Sequence, residues 1–130
     1  MAHDLDDPGP GLLTFLTERH LATLTTLRPD GSPHVVPVGV TYDAASRTAR
    51  VITSGGSAKA RHVRAGQHRV AVCQVEGRRW VTLEGTAVVR DDPASVADAV
   101  ARYAARYRQP RENPARVVLE IAVYRILGTA

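Results

Sequence analysis

Apolar and polar positions alternate along much of the chain, and this pattern predicts short antiparallel strands. Two such runs, 21–27 and 34–42, flank a Pro-Asp-Gly-Ser turn at 29–32, which predicts a hairpin. Pro37 lies in the second run and cannot donate to a strand ladder, so an edge or a bulge is expected there. Four more strands are predicted at 48–52, 70–75, 80–89 and 117–124.

Segments with helical spacing separate and flank these strands. The first begins at Leu12 and ends near His20, and a second short helix is predicted over 58–64. The third follows Asp91-Asp92-Pro93, where an Asp can cap the helix and Pro suits the first turn, and it runs to about Arg108. Short strands in antiparallel succession, with two or three helices, favour a small closed β-barrel.

The length of 130 residues predicts one domain over 1–130, and Pro8-Gly9-Pro10-Gly11 indicates that residues 1–10 form a flexible tail. Cys73 is the single cysteine, so no intrachain disulfide can form and a reducing cytoplasm is the expected location. No apolar run reaches the length of a membrane span, and the N-terminus is acidic, so no membrane partner is expected.

The chain is basic, with a net charge of +4 and a pI of about 9.8, which raises the possibility of nucleic-acid binding. The cations are spread along the whole chain, however, and only six aromatic residues are present to stack on bases. A basic surface also suits small polyanions. We therefore expect a small-molecule partner and no nucleic acid.

The motifs of self-sufficient catalysis are missing from the sequence. It contains neither a P-loop nor a Gly-x-Gly-x-x-Gly turn after a strand, and no Gly-x-Ser-x-Gly elbow. The five histidines show no spacing typical of metal ligands, so no metal site is predicted. No side chain is therefore assigned as catalytic. If the protein is an enzyme, a bound cofactor is expected to carry the chemistry.

Lys59 is the only lysine in the chain, beside sixteen arginines. It lies in the run Thr-Ser-Gly-Gly-Ser-Ala-Lys-Ala-Arg at 53–61, between a predicted strand and a predicted helix. Free backbone N–H groups in such a turn and a compact ammonium charge both suit an anionic group. The alternative is that Lys59 is one exposed cation in one loop.

Several segments together resemble a known family. The run 21–38 is similar to the opening hairpin of the pyridoxamine-phosphate-oxidase-like split β-barrel flavoproteins. The runs 52–59 and 79–87 resemble the branch of that family that uses the deazaflavin coenzyme F420, and 102–111 with Asn113-Pro114 also match it. The resemblance covers about 12–129. It implies a mainly β (α+β) fold, a six-to-seven-stranded antiparallel split β-barrel with two to three flanking helices.

The resemblance also implies a homodimer with the cofactor in a groove at the dimer interface. Ser57 and Lys59, with Arg61, would hold the cofactor phosphate, while 34–38 and 77–80 would line the deazaflavin ring. The amide of Gln74 could bond the polar edge of the ring. The predicted cofactor-binding residues are His34, Val35, Val36, Pro37, Val38, Thr53, Ser54, Gly55, Gly56, Ser57, Lys59, Arg61, Gln74, Gly77, Arg78, Arg79 and Trp80.

Carboxylates on the cofactor or the substrate could be met by the arginines of 102–116, since Arg binds carboxylates with two parallel hydrogen bonds. Arg106 and Tyr107 are accordingly predicted to bind substrate. The alternatives are a solvated helix face for the arginines and packing for the tyrosine.

The function implied is hydride transfer from reduced F420 to an organic acceptor, with biliverdin, reduced to bilirubin, as the leading acceptor. One alternative keeps the fold and binds FMN, as a pyridoxamine-phosphate-oxidase-like protein. A second is a non-catalytic module that binds F420 or a tetrapyrrole.

Overall fold

The computed structural model describes residues 2–130, which form an eight-stranded antiparallel sheet and three helices. The strands are β1 (Ala2–His3), β2 (Ala22–Leu27), β3 (Pro33–Val38), β4 (Thr41–Asp43), β5 (Thr48–Ser54), β6 (Arg69–Glu76), β7 (Arg79–Arg90) and β8 (Arg116–Gly128). The helices are α1 (Pro10–Phe15), α2 (Ala58–Arg64) and α3 (Pro93–Arg106).

Neighbouring strands follow the order β3-β2-β6-β7-β8-β5-β4, and β1 pairs with the end of β8. The predicted class, a mainly antiparallel β fold with flanking helices, is confirmed. The strand count is higher than predicted for two reasons. The predicted strand 34–42 breaks after Val38 into β3 and β4, and residues 2–3 add β1.

The strand β3 lies at one end of this order and pairs only with β2. Pro37 sits opposite Thr23 in that pairing. An edge strand tolerates proline because the outer side of the strand has no ladder to complete. The predicted edge at Pro37 is therefore confirmed, and it leaves the β3 end of the sheet next to α2 and α3.

The N-terminal segment makes specific contacts, although residues 1–10 were predicted to be a flexible tail. Ala2 and His3 pair with Leu127 and Ile126, and the His3 Nε2 lies 3.0 Å from the Gly128 carbonyl oxygen. This pairing with β8 could not be predicted from the Pro-Gly-Pro-Gly segment that follows it in the sequence. Met1 lies outside the described residues.

One hydrophobic cluster fills the interior, built from the inward positions of the strands and from α1 and α2. Phe15, Leu24, Leu119 and Ile121 in it are completely inaccessible to solvent. At the bulge between Glu84 and Gly85, β7 bends closely over β8, and a Cβ built on Gly85 would lie 2.3 Å from the Ala122 carbonyl oxygen. Only glycine permits that approach.

The helices α2 and α3 begin as the sequence predicts. Asp92 caps α3 by accepting a hydrogen bond of 3.0 Å from the Ser95 N–H, and Ser57 caps α2. The helix α3 packs against β4, β5 and β8, which brings its C-terminal turn to the break between β3 and β4. This placement creates the pocket described next.

Candidate functional site

A pocket of about 390 Å³ lies between the edge of the sheet, the start of α2, the end of α3 and the loop that leads into β8. We call it the Lys59 pocket. The sequence-predicted residues that line it are Pro37, Val38, Thr53, Ser54 and Lys59. The others that line it are Gly39, Ile52, Tyr103, Pro110, Asn113 and Arg116. No Asp or Glu is among them, so the lining carries a net positive charge.

The ammonium group of Lys59 has no protein partner among residues 2–130. No carboxylate lies within 4.0 Å of it, and it donates no hydrogen bond to a protein atom. The side chain is partly buried, and this burial lowers the pKa of Lys59. A partly desolvated cation without a counterion is a favourable site for an anionic ligand group.

The loop 53–57 is held in place by its own hydroxyl groups. The Ser57 Oγ accepts hydrogen bonds from the Thr53 Oγ1 (3.1 Å) and from the Ala60 N–H (3.4 Å), which caps α2. The Ser54 Oγ accepts a hydrogen bond of 2.8 Å from the Asn113 Nδ2. Ser57 therefore positions Lys59 two residues later, and it does not itself line the pocket.

The two glycines of this loop differ from each other, and only at Gly55 does the structure contradict the predicted free backbone N–H group. The Gly55 N–H donates to the Ala115 carbonyl oxygen over 2.8 Å, and its own carbonyl accepts from the Arg64 Nη1 at 3.3 Å. Gly56 is exposed and has open space around it. The role of Gly55 is therefore to join the loop to the segment before β8.

On β3, only the last two of the five predicted residues reach the pocket. Val35 is exposed on the outer face of the sheet, whereas Val36 packs against the core. The His34 ring lies 5.1 Å from that of His62 on α2, edge to face. Alternation along the strand explains the difference between Val35 and Val36, since successive side chains point to opposite faces.

The prediction that Gln74 bonds a cofactor ring is corrected by the structure. Gln74 is 1% exposed, its Nε2 donates to the Phe15 carbonyl oxygen (2.9 Å), and its Oε1 accepts from the Arg106 Nη2 (2.5 Å). Both ends of the amide are thus bonded inside the protein. A buried amide needs such partners, which explains a polar residue at an inward position of β6.

Arg106 is also corrected, because its guanidinium is committed to internal acceptors. Besides Gln74, it donates to the carbonyl oxygens of Glu18 (2.9 Å) and Val40 (2.6 Å). Burial lowers the pKa of Arg106. This side chain joins the end of α1, the break between β3 and β4, and β6, and it has no free fork for a substrate carboxylate.

Tyr107 has a similar internal role. Its hydroxyl donates to the His20 carbonyl oxygen (2.6 Å) and accepts from the Val40 N–H (3.2 Å). Its ring lies 4.9 Å from that of Tyr103, which does line the pocket. The prediction of substrate binding by Tyr107 is therefore replaced by support for its neighbour Tyr103.

The turn between β6 and β7 lies away from the Lys59 pocket in this chain. Arg79 pairs with Glu18 at 3.1 Å and covers the Phe15 ring, while Gly77 and Arg78 are exposed. The Trp80 N–H donates to the Thr129 Oγ1 over 3.3 Å. None of the four residues 77–80 lines the pocket, and Arg61 points to solvent on α2.

The family model for pyridoxamine 5'-phosphate oxidase matches residues 10–130, almost the whole chain. The chain belongs to the pyridoxamine 5'-phosphate oxidase family. A curated member, the F420H(2)-dependent biliverdin reductase of Mycobacterium tuberculosis (strain CDC 1551 / Oshkosh), is 58% identical over 119 residues, which cover 91% of this chain and 85% of the relative.

Solved structures of lower sequence identity share the fold of this chain. A conserved hypothetical protein from Mycobacterium tuberculosis superposes with a TM-score of 0.77 at 23% identity, covering 91% of this chain and 81% of that one. A structure described as an F420 reductase gives 0.71 at 21% identity, covering 88% and 94%. At these identities the likeness shows the fold alone.

Asn113 lines the pocket but was not predicted as a site residue, and Arg116 was included only in the group of arginines 102–116 expected to meet carboxylates. Asn113 accepts from the Ala115 N–H (3.0 Å) while it donates to Ser54, and the Arg116 Nη2 donates to the Arg111 carbonyl oxygen (2.6 Å). They lie 54 and 57 residues after Lys59 in sequence. The resemblance at Asn113-Pro114 and the arginine cluster were the signals in this segment, and neither assigned a contact to Lys59.

Two surveys of the structure bear on other functions of this family member. No helix within residues 2–130 is long and apolar enough to cross a membrane. Over the same residues, His, Cys, Asp and Glu form no group of three or more placed to hold a metal ion.

Proposed function

We propose that the protein is an oxidoreductase that uses reduced coenzyme F420, with biliverdin as its acceptor. The observation that carries this proposal is the Lys59 ammonium group, partly buried in a pocket that contains no carboxylate. The 58% identical relative, an F420H(2)-dependent biliverdin reductase, supports the cofactor and the acceptor. The absence from the sequence of a motif for nucleophilic catalysis agrees with chemistry carried by a cofactor.

The residues of the pocket suit the anionic part of this cofactor. Coenzyme F420 carries a phosphodiester and a glutamate tail, and the lining of the pocket includes Lys59, Asn113 and Arg116. Charge-assisted hydrogen bonds from such groups to phosphate oxygens are short and strong. Lys59 and Arg116 would therefore hold the phosphodiester, and Ser57 would fix the loop that carries Lys59.

When bound, reduced F420 supplies the hydride for the acceptor. The chain has to bind and orient the two molecules, which asks for no nucleophilic side chain. Pro37 and Val38 present an apolar edge strand to the pocket, and Tyr103 also lines it. The proton for the reduced acceptor comes from water in this proposal, since no Asp, Glu or His lines the pocket.

We also propose that the protein is a homodimer that forms through the outer face of β2, β3 and β6. Val35 and Val75 on this face are 57% and 62% exposed, and Leu21 beside β2 is 66% exposed. Thr25 lies opposite Val35 in the β2–β3 pairing, and Ala71 lies opposite Thr25 in the β2–β6 pairing, so the row beside Val35 carries small side chains. Exposed apolar side chains grouped on one sheet face are typical of an interaction site.

A dimer would also account for the turn at 77–80, which does not reach the Lys59 pocket of its own chain. The resemblance assigns this turn to the deazaflavin ring, so in this proposal the turn from one subunit completes the groove of the other. Val75→Arg should place an unpaired charge in the interface and yield monomers. Light scattering after size exclusion measures this, with Ala101→Arg on the exposed side of α3 as the control.

The proposed reaction is tested by supplying reduced F420 and following its oxidation with biliverdin, quinones or enones as acceptors. Biliverdin-dependent oxidation is the expected result. If only other acceptors are reduced, the cofactor assignment stands and the acceptor is wrong. Tight F420 binding without turnover of any acceptor would indicate a binding module.

FMN is the alternative cofactor, because its phosphate could also bind beside Lys59 and the family is that of pyridoxamine 5'-phosphate oxidase. The two ring systems absorb light differently, so optical titration of the purified protein with each one separates them. We expect saturable binding of F420 at lower concentration than FMN, and the reverse order would favour FMN.

A further inference from the structure

We propose that Tyr103 is a specificity-determining residue whose ring divides one cationic groove into separate pockets and so limits the length of polyanion that the groove can hold. The groove includes the pocket assigned to the cofactor phosphate. The test below uses no cofactor, however, so this inference and the proposed function can fail separately.

Tyr103 lines three neighbouring pockets. The first is the Lys59 pocket, of about 390 Å³; the second, of about 340 Å³, is lined by Arg19, Arg108 and Tyr107, and the third, of about 380 Å³, by Arg108 and Arg111. Arg108 is shared by the second and third pockets, but Tyr103 is the one residue common to all three. The ring therefore stands where the pockets meet.

The position of the ring is set by two neighbours. The Tyr107 ring lies 4.9 Å away and is anchored through its hydroxyl to His20 and Val40. Gly39 lies against both rings, since a built Cβ would be 2.7 Å from the Tyr103 Cε2 and 3.0 Å from the Tyr107 Cε2. Any side chain at 39 would displace the ring, so glycine at the break after β3 is what lets the ring occupy this place.

The hydroxyl of Tyr103 has no hydrogen-bond partner in the described part of the chain, in contrast to that of Tyr107. It therefore does not serve as an internal anchor. The side chain is neither fully buried nor part of the hydrophobic core. The side chain is instead shared by the linings of the three pockets, as expected for a ring that separates them.

All three pockets are cationic. Their linings contain the charged side chains of Lys59, Arg116, Arg19, Arg108 and Arg111, together with His20, and no carboxylate. Arg19, Arg108 and Arg111 also have no ion pair within residues 2–130. A ligand that crossed from one pocket to the next would be a polyanion, and the ring at 103 stands in its path.

The test compares a short with a long polyanion by calorimetric titration at low ionic strength, using pyrophosphate and long-chain linear polyphosphate. In Tyr103→Ala the pockets join, so the long chain should bind at least about fivefold more tightly than to the wild type, whereas pyrophosphate should change by less than about twofold. Tyr103→Phe keeps the partition and should leave both affinities within about twofold of the wild type.

Tyr42→Phe is the matched control, because it removes another phenol hydroxyl without a hydrogen-bond partner, at a position outside the three pockets. It should leave both affinities unchanged. The proposal is overturned if Tyr103→Ala shifts both ligands by the same factor, or if it weakens the binding of the long chain.

Gly39→Ala provides an independent route to the same ring. It should change the ratio of the two affinities at least about threefold when Tyr103 is present, and clearly less in the Tyr103→Ala background, where only the Tyr107 ring remains beside residue 39. Equal effects in both backgrounds would show that Gly39 acts through the strand and not through the ring, and would contradict the proposal. Thermal unfolding of each variant identifies any that fails to fold, in which case Tyr103→Leu replaces Tyr103→Ala.

Discussion

Lys59 and Arg106 are two partly buried cations with opposite surroundings. Arg106 donates to three acceptors, the carbonyl oxygens of Glu18 and Val40 and the side chain of Gln74. Lys59 has no acceptor and no carboxylate among residues 2–130, although burial lowers its pKa just as it lowers that of Arg106. The number of internal partners, and not the residue type, therefore distinguishes Arg106, whose donors are used inside the protein, from Lys59, whose charge is available to the ligand in the proposed function.

The two cations also differ in the number of chain segments that they connect. Arg106 links segments that are 32 to 88 residues away in sequence, so its loss would be felt in several elements together. The Lys59 ammonium group makes no hydrogen bond or ion pair to other segments within residues 2–130, and it lines the pocket. Its loss would be felt mainly by a ligand.

The largest effect is expected for Arg106→Met. Removing the guanidinium leaves the buried Gln74 oxygen without a donor. It also takes a charged donor from the Glu18 and Val40 carbonyls, which keep the His20 N–H and the Tyr107 hydroxyl. The free energy of unfolding should therefore fall by about 2–4 kcal/mol. Urea unfolding measures it, and Arg108→Met, which removes an exposed Arg without an ion pair, should cost less than about 0.5 kcal/mol. Loss of ligand binding with unchanged stability would restore Arg106 as a substrate-binding residue.

Lys59→Ala should weaken ligand binding and leave the stability nearly unchanged, in contrast to Arg106→Met. Without this charge-assisted contact, F420 affinity should fall by about 1.5–3 kcal/mol, roughly 10- to 150-fold, while stability stays the same or rises slightly. Optical titration and thermal unfolding report the two quantities, and Arg61→Ala, outside the pocket, serves as the control. An unchanged affinity for F420 in Lys59→Ala would mean that Lys59 is an ordinary surface cation.

The smallest effect concerns His62, another base without an acidic partner. Its Nδ1 lies 2.9 Å from the Thr26 Oγ1, and burial, then His34, Arg28 and Arg61, lower its pKa. The folded protein therefore favours neutral His62. This contribution to stability is fully present above about pH 6.5, the usual pKa of histidine, and is lost as the pH falls through the lowered folded-state pKa.

The variant His62→Asn should accordingly lose less stability than the wild type between pH 7.5 and pH 5.5. Urea unfolding at a series of pH values measures the slope, and His68→Asn, at an exposed position, is the control. An identical slope in the wild type and in His62→Asn would show that the cluster with His34 does not disfavour protonation.

Local pattern in the sequence was sufficient for most of the elements, although it missed β1 and the break between β3 and β4. The alternation of apolar residues predicted the strands, Asp92 and Pro93 predicted the start of α3, and the loop before Lys59 predicted the turn into α2. Each of these features depends on residues within one or two turns of the chain. For the same reason, the break after Val38 was missed, since it depends on the rings of α3 that pack against Gly39.

The sequence by itself determined the strands, the helix caps and the place of a solitary lysine, because short-range periodicity and capping need only neighbouring residues. Tertiary structure alone decided which polar groups are free. It bonded Arg106 to Gln74, and it bonded the Tyr107 hydroxyl to the backbone of His20 and Val40. It also brought Arg116 and Asn113 into the pocket that Lys59 lines. The physical reason is that hydrogen-bond partners of buried groups lie tens of residues away, where no local pattern records them.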